Sequence, residues 1–221
     1  VGSVINDAMK EIEKNQTTTG LSGVPSGFPS LDRITRGWQN SDLIILAARP
    51  SVGKTAFALN LARNAAVDHH IPVAIFSLEM SALQLVMRLM TTESGFASDK
   101  LKGGTRIEPY EWPELEQRIA SLAKAPLYID DTPSIPLMEF RAKVKRLVKS
   151  KDVRLVIVDY LQLMQGPAEL RGLREQEVAA ISRTLKATAK ELNIPIIALS
   201  QLSRNAVQRT GGTGKPQLSD L

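Results

Sequence analysis

Five short apolar runs punctuate this chain, and longer segments of helical periodicity separate them. The runs are LIILAA (43–48), VAIFSL (73–78), PLYIDD (126–131), LVIVDY (155–160) and PIIALSQ (195–201). They are continuous rather than alternating, the pattern of strands covered on both faces of a parallel sheet. Between them, residues 55–67, 82–94 with 109–123, 137–148 and 173–192 repeat apolar positions every three or four residues. In the last segment Val178, Ile181, Leu185, Thr188 and Leu192 form one stripe, with charges elsewhere. Strand–helix alternation of this kind predicts an α/β domain with a doubly wound, mostly parallel sheet. Its ligand belongs beyond the carboxyl ends of the strands.

The two ends of the chain follow other patterns. Residues 1–15 place Val4, Ile5, Ala8, Met9 and Ile12 on one helical face, which predicts an amphipathic helix of three to four turns. A polar stretch over 16–26 separates it from the rest, so residues 1–19 read as a linker helix with its connection and 20–221 as the domain. The helix stripe is suited either to its own domain or to a neighbouring subunit. Residues 203–221 hold three glycines, one proline and three basic residues, and are expected as a tail or mobile loop.

Composition narrows the class. At 221 residues, with 43% hydrophobic positions, 14 glycines and 12 prolines, the chain can bury a core and is neither disordered nor fibrous. There is no cysteine, which excludes disulfides, thiolate zinc sites and cysteine nucleophiles and suggests a reducing, cytoplasmic setting. The two histidines are adjacent, His69 and His70, and cannot form a dispersed triad. No apolar run is long enough to span a membrane. No signal peptide is evident, and because Val1 is not an initiator methionine the chain reads as a piece of something longer. The net charge of +5 permits a polyanionic partner without requiring one.

The run LIILAA leads into Ala48-Arg49-Pro50-Ser51-Val52-Gly53-Lys54-Thr55 and then directly into helical sequence. This is the phosphate-binding pattern G-x-x-x-x-G-K-[ST], with Ala48 at the first glycine. Ser51, Val52, Gly53, Lys54, Thr55 and Ala56 are therefore candidates to bind nucleotide. A loop opening a helix aims several amides and the positive dipole end at one phosphate, and Gly53 allows close approach. Lys54 supplies a mobile cation, and the Thr55 hydroxyl can ligate Mg²⁺.

Polar groups at the other strand ends extend the candidate site. Asp159 ends LVIVDY, where a carboxylate holds Mg²⁺ opposite Thr55, although such an aspartate also often caps or turns. Glu79 follows VAIFSL, placed either to accept a proton from the water attacking a γ-phosphate or to favour the dipole of the next helix. Gln201 ends PIIALSQ, either as a neutral group able to sense or orient that phosphate or as an ordinary polar residue at a strand end. Asp130 and Asp131 read equally well as a turn. The basic run from Arg141 to Lys151 spreads opposite an apolar stripe and reads as a solvated face. Two basic loops could face a nucleic acid: 165–174, with Arg171 and Arg174, and 203–221, with Arg204, Arg209 and Lys215. Solvent-exposed loops would look the same, and neither carries aromatics for base stacking.

GFPSLDRITRGW, DLIILAARPSVGKTAFALNLA, FSLEMS, LVIVDYLQLM and IIALSQLSR together resemble the ATPase domain of replicative hexameric DNA helicases of the bacterial DnaB type. The likeness covers nearly everything from about residue 20 onward; Arg36 departs from it where the family more often has a small residue. It implies a RecA-like core, a ring of six, and ATP-driven translocation on single-stranded DNA that unwinds duplex at the replication fork. It implies ATP and Mg²⁺ as cofactors, Lys54 and Thr55 on phosphates and metal, Glu79 as base, Asp159 on the metal, Gln201 near the γ-phosphate and Arg88 as a further nucleotide contact. By the same likeness residues 4–15 grip the adjacent protomer, and primase and a loader are partners of the full-length protein. The family's arginine finger and remaining DNA-gripping segment would lie C-terminal to this chain, so weak hydrolysis is expected of it alone. Two other readings remain: a recombinase-type filament former on the same fold, and a nucleotide-gated binding module without turnover.

Overall fold

Each apolar run becomes a strand, within one residue of its expected ends. In the computed structural model, which describes residues 20–170 and 172–202 together with positions 2, 5, 6, 9, 10 and 13, these are β1 (Leu43–Ala48), β2 (Val73–Ser77), β3 (Leu127–Asp130), β4 (Leu155–Asp159) and β5 (Ile196–Gln201). They form one sheet in the order β1-β5-β4-β2-β3, with every pairing parallel. Of the four consecutive strand pairs two are neighbours, β2 with β3 and β4 with β5, and the other two are separated by crossovers. β5, the last described strand, lies between β1 and β4.

Burial follows this order. β2, β4 and β5 are buried along almost their whole length, as continuous apolar runs predict, whereas β1 and β3 are half-buried. Those two are the edges of the described sheet, a position that sequence composition does not reveal. Helices cover both faces: α1 (Pro29–Thr35), α2 (Lys54–Arg63), α3 (Ala82–Ser94), the single turn α4 (Ser98–Leu101), α5 (Glu111–Lys124), α6 (Leu137–Lys151) and α7 (Arg174–Leu192). Helix α2 runs on into a π-helical turn at Asn64–Asp68. On one face Phe140 and Val144 of α6 and Ile181 and Leu185 of α7 pack on Phe76, Val156 and Ile196. The Phe76 and Phe140 rings meet edge-on at 4.8 Å. On the other face Leu59 and Leu61 of α2 and Leu85 and Leu89 of α3 pack on Ile75, Ile157 and Leu199.

The short α1 went unpredicted, because its apolar content is too small to register. Pro29 opens it, and Arg36 closes it in a left-handed conformation followed by Gly37, so the departure at Arg36 sits in an exposed helix cap. Asp131, at the expected turn after β3, accepts the Ala82 N–H at 2.8 Å and helps cap α3. Asp130 pairs with Lys143. Arg141 and Lys145 both bind Glu191, so part of the basic run on α6 is neutralised within the fold. The N-terminal positions that are described, including Ile5 and Met9, are helical and exposed.

One half-buried ion pair ties three helices together. The Glu93 carboxylate, 9% exposed, accepts from Arg63 Nε at 2.6 Å and from the Ser121 hydroxyl at 2.9 Å. The Arg63 hydrogen bond holds Glu93 below its ordinary range. A depressed carboxylate contributes stability that is present above its unfolded value and lost as pH falls through its folded one. Glu93→Gln is expected to lower unfolding free energy by about 1–3 kcal/mol near pH 7, with the difference shrinking below about pH 4. Urea denaturation at the two pH values measures this; an equal penalty at both would contradict it.

Candidate functional site

The loop between β1 and α2 is shaped by two left-handed residues, Ser51 at φ 63° and Gly53 at φ 100°. Gly53 caps α2, and Phe57 is the first residue whose N–H returns to the cap, onto the Gly53 carbonyl at 2.9 Å. The amides of Lys54, Thr55 and Ala56 therefore have no intrahelical acceptor and point out of the helix end. A Cβ on Gly53 would meet nothing within 4 Å, yet its φ of +100° strains any L side chain. This helix end opens on a cleft of about 440 Å³. Ala48 lies at the final register position of β1, paired with Gln201, and lines the same cleft.

Four separated segments meet at this cleft. Its lining includes Ser51, Gly53, Lys54, Thr55 and Ala56 of the loop, Glu79 after β2, Arg88 on α3 and Gln201 at the end of β5. Val52 belongs to the same loop and is exposed at 69%. Asp159 is buried beneath it at 3% exposure and accepts the Thr55 hydroxyl at 2.7 Å, across 104 residues of sequence. The other Asp159 oxygen is buried with no hydrogen-bond donor; Lys54 Nζ is the nearest cation, at 4.0 Å. A carboxylate with one orphaned oxygen beside a hydroxyl that retains free lone pairs is a donor set suited to Mg²⁺. Among the described residues no cluster of three or more His, Cys, Asp or Glu offers another metal centre.

Lys54 is the electrostatic centre of the cleft. Desolvation lowers its pKa below the ordinary lysine value, while Asp159 and Glu79 act to raise it. Its ammonium also lies 4.4 Å from the centre of the Tyr160 ring. Burial, then repulsion from Glu79 and Asp159, holds the Tyr160 phenol above its usual range, so the ring stays neutral under the cation. Tyr160 was not singled out from the sequence, where a tyrosine after Asp159 carries no signal of its own.

Glu79 is held at the tip of a tight turn. The Ser77 hydroxyl donates to the Met80 carbonyl at 2.7 Å and accepts the Met80 N–H at 3.2 Å. Leu78 N–H binds the Asp159 carbonyl at 2.8 Å, locking the two acidic strand ends together. Helix α3 begins after this turn with its own capping box from Ser81 and Gln84. Glu79 itself projects into the cleft, exposed.

The proposed nucleic-acid residues fare unevenly. Arg171, Arg204, Arg209 and Lys215 lie outside the described residues, as does the 203–221 segment. Arg174 opens α7 and donates to the Gln162 carbonyl and to Glu177, so its guanidinium is engaged within the protein. Gln162 is a second residue the sequence did not mark; its carboxamide binds Ser200 and the backbone of Gln201. No helix of the described residues is long and apolar enough to cross a membrane.

A family profile described as DnaB-like helicase C terminal domain matches residues 23–221. The chain is 51% identical over 201 residues to the replicative DNA helicase DnaB of Geobacillus stearothermophilus, covering 91% of this chain and 44% of that protein. Among solved structures, one ATPase domain matches 99% of this chain and 76% of its own, with 35% identity and a TM-score of 0.88. A structure of a DnaB-like replicative helicase and its interactions with primase matches 96% of this chain and 52% of its own, with 34% identity and a TM-score of 0.85.

Proposed function

This chain belongs to the DnaB-like helicase C-terminal domain family, and from that premise we propose that it is an ATP-hydrolysing motor that moves on single-stranded DNA and unwinds duplex at the replication fork. One observation carries the reading: Asp159, buried beneath the cleft that Lys54, Thr55, Glu79 and Gln201 line, accepts the Thr55 hydroxyl at 2.7 Å. A binding module needs a phosphate cradle; it has no use for a free carboxylate aimed over that cradle.

In this reading the amides of residues 51–56 and the Lys54 ammonium bind the β- and γ-phosphates of ATP, with Arg88 as a further contact. Thr55 and Asp159 hold Mg²⁺, which when bound supplies charge neutralisation across the phosphates. Glu79 accepts the proton of the attacking water, and Gln201 meets the γ-phosphate from the neighbouring strand end. The exposed apolar positions Ile5 and Met9 fit a helix, spanning 4–15, that packs on the adjacent protomer of a six-membered ring. Loops 165–174 and 203–221 face single-stranded DNA and track its backbone through Arg171, Arg204, Arg209 and Lys215, with Arg174 holding the first loop in shape. Primase and a loader are partners of the whole protein, in the cytoplasm. The chain spans less than half of the Geobacillus relative, so this is one part of such a machine.

The test measures ATP turnover of the assembled protein with and without an oligo-dT strand, together with its native mass in magnesium nucleotide. Stimulation by DNA in a particle of six subunits is expected. Hydrolysis indifferent to DNA, or an open filament, would sink the motor reading.

A further inference from the structure

The segment after β4 is joined to the nucleotide cleft through one side chain. Gln162 sits in the 3₁₀ turn Leu161–Leu163, half-buried. Its carboxamide pairs with the Gln201 backbone in both directions: Nε2 donates to the Gln201 carbonyl at 3.2 Å, and Oε1 accepts the Gln201 N–H at 3.3 Å. Nε2 also donates to the Ser200 hydroxyl at 2.7 Å. The side chain thus closes the end of β5 much as the peptide of another strand would. An amide of this length supplies donor and acceptor together; ionised Glu lacks the donor, and Met has no donor and only a weak thioether acceptor.

The opposite side of Gln162 faces the loop. Its own carbonyl accepts from Arg174 Nη2, and Arg174 Nη1 donates to Glu177 at 2.9 Å. The second Glu177 oxygen accepts the Gly166 N–H at 3.3 Å. A continuous set of hydrogen bonds therefore runs from Gln201, whose side chain is in the cleft, to both ends of the segment between Gly166 and Arg174. If Gln201 shifts to meet a γ-phosphate, its backbone must carry Gln162 along or break both carboxamide bonds. A displacement of the Gln162 backbone also moves the carbonyl that Arg174 holds.

Resting on the motor reading above, we propose that Gln162 is a positioning residue that transmits the state of the nucleotide from Gln201 to the 165–174 loop. It touches no nucleotide itself. Its replacement uncouples the loop from the cleft while the cleft still binds.

The chain has no cysteine, so Ala168→Cys on the exposed loop gives a single attachment point for a fluorophore. In the assembled protein, magnesium ATPγS is expected to shift the emission of this label. Gln162→Met fills the same space without hydrogen bonds and should abolish the shift, while affinity for a fluorescent ATP analogue stays within about twofold, as for a residue outside the cleft. The factor by which ATPγS changes oligo-dT affinity should fall by between about two- and thirty-fold, the range of a lost coupling interaction. Arg174→Ala breaks the same path at its exposed end and should also silence the label, which keeps the test valid if Gln162→Met does not fold. A full label response in Gln162→Met would overturn the proposal. So would a parent that binds ATPγS with no response at the label, or a lost response fully accounted for by lost nucleotide affinity. If oligo-dT fails to bind the parent, the motor reading fails, and the label still decides the role of Gln162.

Discussion

Glu79→Gln is expected to reduce steady-state ATP hydrolysis by about 10²–10⁴-fold while leaving nucleotide affinity within a few-fold. The amide has the size of the carboxylate but cannot accept a proton from water. The alternative role for Glu79, favouring the dipole of the next helix, is weakened by what caps α3 already: the Ser81–Gln84 box and the Asp131 carboxylate on Ala82 N–H. Replacing Glu79 should therefore alter stability by no more than about 0.5 kcal/mol, as at an exposed position without structural partners. Phosphate release, fluorescent-nucleotide titration and urea denaturation on one preparation separate the roles. A variant that hydrolyses at more than about a tenth of the parental rate would remove Glu79 as the base, because a lost general base costs far more.

Lys54→Ala is expected to weaken ATP binding by about 30–100-fold and to abolish hydrolysis with it, the scale of one or two lost charge-assisted hydrogen bonds. The loss should be larger for ATP than for ADP if Lys54 serves the outer phosphates as proposed. The half-buried ammonium is held below the ordinary lysine value by desolvation. A bound triphosphate favours the charged form, so binding draws the pKa back up and takes up protons at alkaline pH. ATP affinity of the parent should accordingly fall as pH rises toward the ordinary lysine value, from a point below it, and the alanine variant should lack this dependence. Calorimetric titration across that range in two buffers of different ionisation enthalpy reads both effects. Undiminished ATP affinity in Lys54→Ala would leave the cleft without its central charge and the functional reading without its foundation.

How much of this was legible beforehand differs from element to element. The strands emerged from uninterrupted apolar runs, and the helices from three- and four-residue spacing, because both periods are local properties of the backbone. The loop that opens α2 onto the cleft was readable because the pattern of glycine, lysine and threonine at fixed offsets is the one a helix end needs to cradle an anion. Glu79, Asp159 and Gln201 could be nominated as polar residues ending apolar strands, where α/β folds gather their ligands. Residues that serve another element escaped notice: Asp131 capping α3, Tyr160 beneath Lys54, Gln162 clasping the end of β5. Each acts on a partner remote in sequence, and nothing in its immediate neighbours announces that partner.

The chain alone dictated which segments extend, which coil into helices and which loop carries the phosphate-binding pattern, since neighbouring residues settle those questions by sterics and hydrophobic period. The strand order was decided only by assembly. Placing β5 between β1 and β4 brings Gln201 beside the phosphate loop, and the closing of the sheet brings Thr55 onto Asp159. The same assembly left β1 and β3 as half-buried edges, although the sequence of β1 is as apolar as those of the buried strands. Pairing between remote strands depends on how whole faces pack against helices, and that free energy belongs to the completed sheet rather than to any stretch of chain within it.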